Sequence, residues 1–242
     1  MWKKLVLSPL VYLFLLLSVV ISIWLGFLAS NKYLLPFFNI SFAYPVLFTL
    51  LAESKREKAF LTMLFWAFCM GVFMVIAALR DPVAAAASIF HGTAYVQEMF
   101  HWIKTGEGAE GNPLIFVPIH LLHIVLFCIF SAISASFLSL LMGALLMNYM
   151  AFYVANVIQA SHYSGLAMWM GWHPWSVIRI ISFVVLGVIL GEPMVCRLTG
   201  RDYEYTTARP FMWAAIGGLI LDILMKTLLA PWWGITLRKL LS

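Results

Sequence analysis

The sequence predicts an all-α fold, a polytopic bundle of transmembrane helices. Three observations point there: a series of apolar runs each about long enough to cross a bilayer, a composition of 64% hydrophobic against 10% charged residues, and no polar–apolar alternation that would keep one face wet. Leu5–Ser30, Ala59–Leu79, Pro113–Ile158 and Trp175–Cys196 are nearly uninterrupted. Leu34–Ala52 carries Asn39, Tyr44 and Pro45, and Pro210–Trp233 carries charges. Residues 1–242 are expected to form one integral membrane domain with about seven spans, six to eight being compatible with the runs.

The first run, after Met1-Trp2-Lys3-Lys4, begins like a secretory signal. Its 26 residues nevertheless exceed a typical signal h-region, and it is read as the first span, 5–30. The second span is 34–52 and the third 59–79. The stretch 113–158 holds 46 residues. At 1.5 Å per residue that is roughly 69 Å, more than twice the ~30 Å of hydrocarbon, so it must contain two spans. Ser131-Ala132-Ile133-Ser134-Ala135-Ser136 is the expected break, giving spans 113–133 and 137–158. Spans 175–196 and 210–231 complete the set, and Pro231-Trp232-Trp233-Gly234 is a place for the tail to turn along the interface.

Basic residues orient this arrangement. With the amino terminus inside, eight Lys/Arg (Lys3, Lys4, Lys55, Arg56, Lys58, Arg197, Arg201, Arg209) fall on the cytoplasmic side and five (Lys32, Arg80, Lys104, Arg238, Lys239) on the other. A plasma (inner) membrane location follows as the expectation. The net charge of +5 is explained by these span-end residues, and no nucleic-acid role is expected. Cys69, Cys128 and Cys196 lack CxxC pairing, so neither a disulfide framework nor a thiolate metal site is indicated. No nucleotide-binding, metalloprotease or nucleophile-elbow signature occurs, and the reading leans away from an enzyme.

The long segment 80–112 opens with Arg80-Asp81-Pro82 and closes with a glycine-rich loop, Gly106–Asn112. Val83–Lys104 is expected to be one interfacial amphipathic helix. On its wheel His91, Glu98 and His101 fall within about 80° of one another.

Within the spans, Asp222 and Lys226 stand out. An ionised group near the midplane costs at least about 2.5–3.5 kcal/mol and calls for a partner. At i, i+4 the two residues are expected to neutralise each other and, with Glu192, to line a polar path for transport. The stretch Leu221-Asp222-Ile223-Leu224-Met225-Lys226 also resembles the seventh helix of microbial rhodopsins, where an acid precedes the retinal-bearing lysine by four residues. That resemblance implies a Schiff base on Lys226 with Asp222 in its counter-ion, although Ala59–Leu79 carries no acidic residue to complete it.

All six histidines fall on the outer side in this topology. His91, Glu98, His101, His120 and His123 form a candidate transition-metal set, and a b-type haem is a second possibility for the imidazoles. Ser131, Ser136, Gly143 and Asn148 are read as helix-packing positions. The favoured function is a small-solute or ion permease. A non-catalytic subunit of a larger membrane complex, with membrane-protein partners or further copies of this chain, is the alternative. A metal- or haem-binding redox protein comes third.

Overall fold

Proline, glycine and serine punctuation cuts the apolar runs into α-helices. The structure, a computed structural model, describes residues 1–241. In chain order the helices are α1 (Trp2–Leu7), α2 (Leu10–Ala29), α3 (Leu34–Ala52), α4 (Arg56–Arg80), α5 (Pro82–Ser88), α6 (Gly92–Thr105), α7 (Pro113–Ile133), α8 (Phe137–Ala160), α9 (Ser164–Gly171), α10 (Pro174–Thr199) and α11 (Tyr205–Leu241). A single 3-10 turn, Ala109–Gly111, precedes α7, and no strand forms among the described residues.

Seven of these helices, α2, α3, α4, α7, α8, α10 and α11, are long and apolar enough to cross a membrane. The chain is a multi-pass membrane protein. Leu13, Leu17, Trp24, Phe68, Leu122 and Leu228 stay exposed on its flanks, as side chains bathed in lipid require. With seven crossings, Met1 and the loops 53–55, 134–136 and 200–204 share one face. The segments 30–33, 81–112 and 161–173 share the other with the carboxyl-terminal end of α11. In its most apolar window α4 is 61% buried, against 22% for α7 and α11, so α4 is central and the latter two are peripheral.

The expected break between the fourth and fifth spans is present. Ala135 and Ser136 both adopt left-handed backbone (φ 49° and 68°), which no α-helix accommodates. Ser134 Oγ accepts the Leu138 amide at 2.9 Å and caps α8.

Three element expectations need correction. The first run is divided at Pro9, which has no amide to continue the helix. Lys58 Nζ donates to the carbonyls of Leu7 and Ser8 at 2.7 and 3.4 Å. The segment 83–104 is two helices, because His91 takes a left-handed conformation (φ 58°) between α5 and α6. The last span does not stop near Pro231: α11 runs for 37 residues, about 55 Å at helical rise. Its far end is held by Trp233 Nε1 donating to Met170 O at 2.8 Å and Arg238 Nε donating to Ile103 O at 2.8 Å.

Candidate functional site

A cavity of about 720 Å³ lies within the bundle, in the size range of small-ligand sites, roughly 300–1,000 Å³. Its lining reaches exposed residues Phe90, His91 and Glu98 at a mouth on the face opposite the amino terminus, and also Ile119, 47% exposed, on the flank of α7. Its walls come from α4, α7, α8 and α10, and its floor includes Ser136 and Gly187. Along α8 the lining runs from Ser136 to Met150, about 21 Å of helix rise.

Charged side chains gather near the mouth end. Asp222, fully buried, accepts from Arg179 Nε at 2.9 Å and from Nη2 at 3.0 Å, a two-point bond between α11 and α10. His120 Nε2 of α7 lies 2.7 Å from Asp222 Oδ2. Lys226, 5% exposed, donates to Glu110 Oε1 at 2.8 Å and sits 4.4 Å from the centre of the Phe116 ring. Arg179, Lys226, Glu110, His120 and His123 all line the cavity.

The expected Asp222–Lys226 pair is therefore not formed. Both carry interhelical partners instead, and the guanidinium's planar fork gives Asp222 two aligned bonds that an ammonium cannot supply. Glu192 is likewise remote from this cluster. It pairs with Arg56 Nε at 2.6 Å near the opposite face, and Arg56 also donates to Thr207 Oγ1 at 2.7 Å and Glu204 O at 3.3 Å. Glu192 lies 13 residues along α10 from Arg179, about 20 Å by helical rise. The expected path Glu192–Asp222–Lys226 is two separate ion-pair sites.

Glu110 was legible in the sequence only as part of a glycine-rich loop. It sits in the 3-10 turn outside the spans and folds down onto Lys226. Burial opposes its ionisation, and the Lys226 ammonium outweighs that, holding its carboxyl below the ordinary range. Arg179, about one turn into its span, is close enough to the membrane edge to snorkel outward, yet it turns inward onto Asp222. Both are needed because a buried lysine and a buried aspartate each require an opposite charge, and that requirement is the signal that could have found them.

The histidines divide. His120 and His123 line the cavity, and His123 has no hydrogen-bond partner among the described residues. His91 caps α6 rather than lying on it, with Nε2 4.0 Å from Glu98 Oε1, while His101 is exposed on α6. Among the described residues no three of His, Cys, Asp and Glu come together to hold a metal ion. His173, outside the set singled out by sequence, is 1% exposed and packs flat on Trp175 at 4.8 Å, with Nε2 3.3 Å from Tyr153 Oη. Burial drives its pKa down from 6.5 to about 4, so it is neutral.

Of the packing positions, Ser131 bonds its own helix at Phe127 O, 2.8 Å away. Ser136 Oγ donates to Gly187 O, tying the α7–α8 turn to α10. Asn148 Nδ2 donates to Asn39 Oδ1 at 2.9 Å, and Asn39 Nδ2 to Ser22 Oγ at 3.1 Å, which links α8, α3 and α2. Gly143 is not a close approach: a Cβ there would meet no atom within 4 Å, and the residue lines the cavity.

Comparison with protein-family models, with curated proteins and with solved structures finds no match to this chain. The likeness to a rhodopsin seventh helix stays confined to Asp222 and Lys226, whose side chains here are bonded to Arg179 and Glu110.

Proposed function

We propose that the protein is a small-solute permease, described in a conformation open toward the face opposite its amino terminus. The observation that carries this reading is the cavity, which extends from exposed residues at one face to Ser136 in the α7–α8 turn and Gly187 midway along α10, and has ion-paired charges in its wall. Fully packed bundles have no use for such a space, and ionisable residues inside a membrane bundle that border a cavity commonly mark a solute or ion pathway. The rim with Lys3, Lys4, Lys55 and Arg56 is cytoplasmic in this reading, by the bias of basic residues toward that side of a plasma membrane.

The far end is closed by two contacts that opening to the cytoplasm has to break. One is Ser136 Oγ on Gly187 O, which joins the α7–α8 turn to α10. The other is Arg56 on Glu192, which joins α4 to α10, with Thr207 of α11 on the same guanidinium. Parting them while the mouth closes exchanges access between the two faces.

Gly143→Cys tests this, in a chain whose Cys69, Cys128 and Cys196 are replaced by alanine. Alternating access predicts that a membrane-impermeant maleimide modifies this thiol in right-side-out and in inside-out vesicles. Modification from the outer face alone would leave a one-sided pocket and end the permease reading.

A further inference from the structure

We propose that the solute of this cavity is a single-chain amphiphile with a carboxylate head. The head would lie between Arg179 and Lys226, and the chain would run along the apolar wall toward Gly187. This deepens the permease reading and rests on it for the use of the site.

Polarity along the cavity is segregated. The charged residues are confined to the mouth end. Below Arg179 the walls are Met63, Met142, Met147, Phe127, Phe183 and similar side chains, with one uncharged donor, the Nε1 of Trp66, left without a partner among the described residues. The hydroxyls there are already engaged, Ser136 with Gly187 O and Ser139 with Ser136 O. From Arg179 to Gly187 the α10 wall descends eight residues, about 12 Å. A small hydrated ion would have to lose its water against that wall, and a wholly apolar solute would leave the Nη1 edge of Arg179 without an acceptor.

The sign of the head follows from which charges face the cavity. Arg179 and Lys226 belong to the lining, whereas Asp222 is fully buried behind Arg179 and does not. Asp222 engages Nε and Nη2 of Arg179, and Nη1 has no partner among the described residues. Glu98 stands out at the exposed rim. The carboxylate that does reach this depth, Glu110, is carried in on a loop whose Gly106 and Gly108 take left-handed backbone (φ 81° and 117°). Its seat on Lys226, over the Phe116 ring, is a carboxylate site filled by the protein's own side chain. A solute carboxylate that displaces Glu110 gains the same ammonium and the free edge of Arg179.

The test uses the full chain in phosphatidylcholine nanodiscs with dodecanoate, dodecanol and dodecyltrimethylammonium, probes of equal chain length and different head. In the Gly143→Cys chain, dodecanoate is expected to slow maleimide labelling by about tenfold, and the other two to leave it unchanged. Glu110→Gln leaves Lys226 unpaired. It is expected to lower the unfolding temperature and to make dodecanoate raise that temperature by more than it does in the unmodified chain. Equal protection by all three probes, or a weaker response to dodecanoate in Glu110→Gln, overturns the proposal. If Glu110→Gln does not fold, the labelling series decides alone. Labelling from both faces without dodecanoate protection would leave a permease and remove this solute class. Protection with one-sided labelling would keep the solute class and remove transport.

Discussion

Asp222 carries more of this structure than its single charge suggests, because removing it strands a guanidinium inside the bundle. Asp222→Ala is expected to cost about 3–5 kcal/mol, as for other buried pairs broken on one side. Asp222→Leu combined with Arg179→Met is expected to recover most of that loss, and unfolding of the single and double variants in mixed micelles measures both. His173 gives a second expectation, in pH. Its native pKa lies below the ordinary 6.5, at about 4, because burial among Trp175, Trp102 and Trp233 disfavours the charged ring. The unfolded chain therefore binds the proton first as the pH falls. Its share of the stability is complete above about pH 6.5 and is lost progressively toward pH 4, of order 3 kcal/mol in all. Unfolding temperature against pH measures it, and His173→Gln should flatten that part of the curve. Asp222 and Lys226 were legible in the sequence because a charge in mid-span is costly wherever it points. Their partners were not, since partner choice depends on which faces of α7, α10 and the 106–112 loop meet α11.

At the scale of elements, close crossing of α10 over the α7–α8 turn is set by Gly191. A Cβ there would collide with Ser136 and meet the Ala135 backbone at 3.1 Å. Gly191→Leu is expected to push the two apart at a cost of about 1–3 kcal/mol, the usual range for overpacking. Gly217→Leu, where a Cβ meets nothing within 4 Å, is the control that should leave stability nearly unchanged. Unfolding of both variants in micelles checks the difference. The number and order of the spans were readable from run length because the bilayer thickness is a fixed ruler. The division at Pro9, the bend at His91 and the continuation of α11 past Pro231 were not, for a shared reason. Each lies inside a run whose composition continues unbroken across it, and the continuation of α11 is fixed by a tertiary contact, Trp233 on Met170, that no local pattern announces.

For the whole molecule, the extramembrane helices α5, α6 and α9 and the protruding end of α11 gather on one face. The opposite face is a thin rim of basic loops bonded by Arg56 and Arg201, the latter donating to Leu51 O and Ala52 O at 2.6 and 2.5 Å. The cavity opens toward the thicker side. Part of that asymmetry was legible, since the long segment 80–112 falls on that side of the sequence-derived topology; the packing of Trp102 on His173 and of Trp175 on Trp233 was not, because it depends on how α6, α10 and α11 meet. The position of α11 at the end of the chain also has a consequence for biosynthesis. The chain emerges amino terminus first. Arg179 thus enters the bilayer with α10 before Asp222 exists, and Glu110 and His120 are in place before the groups they join. Arrival of the last helix neutralises residues inserted earlier, so a nascent chain stalled before Tyr205 is a bundle holding an unbalanced arginine.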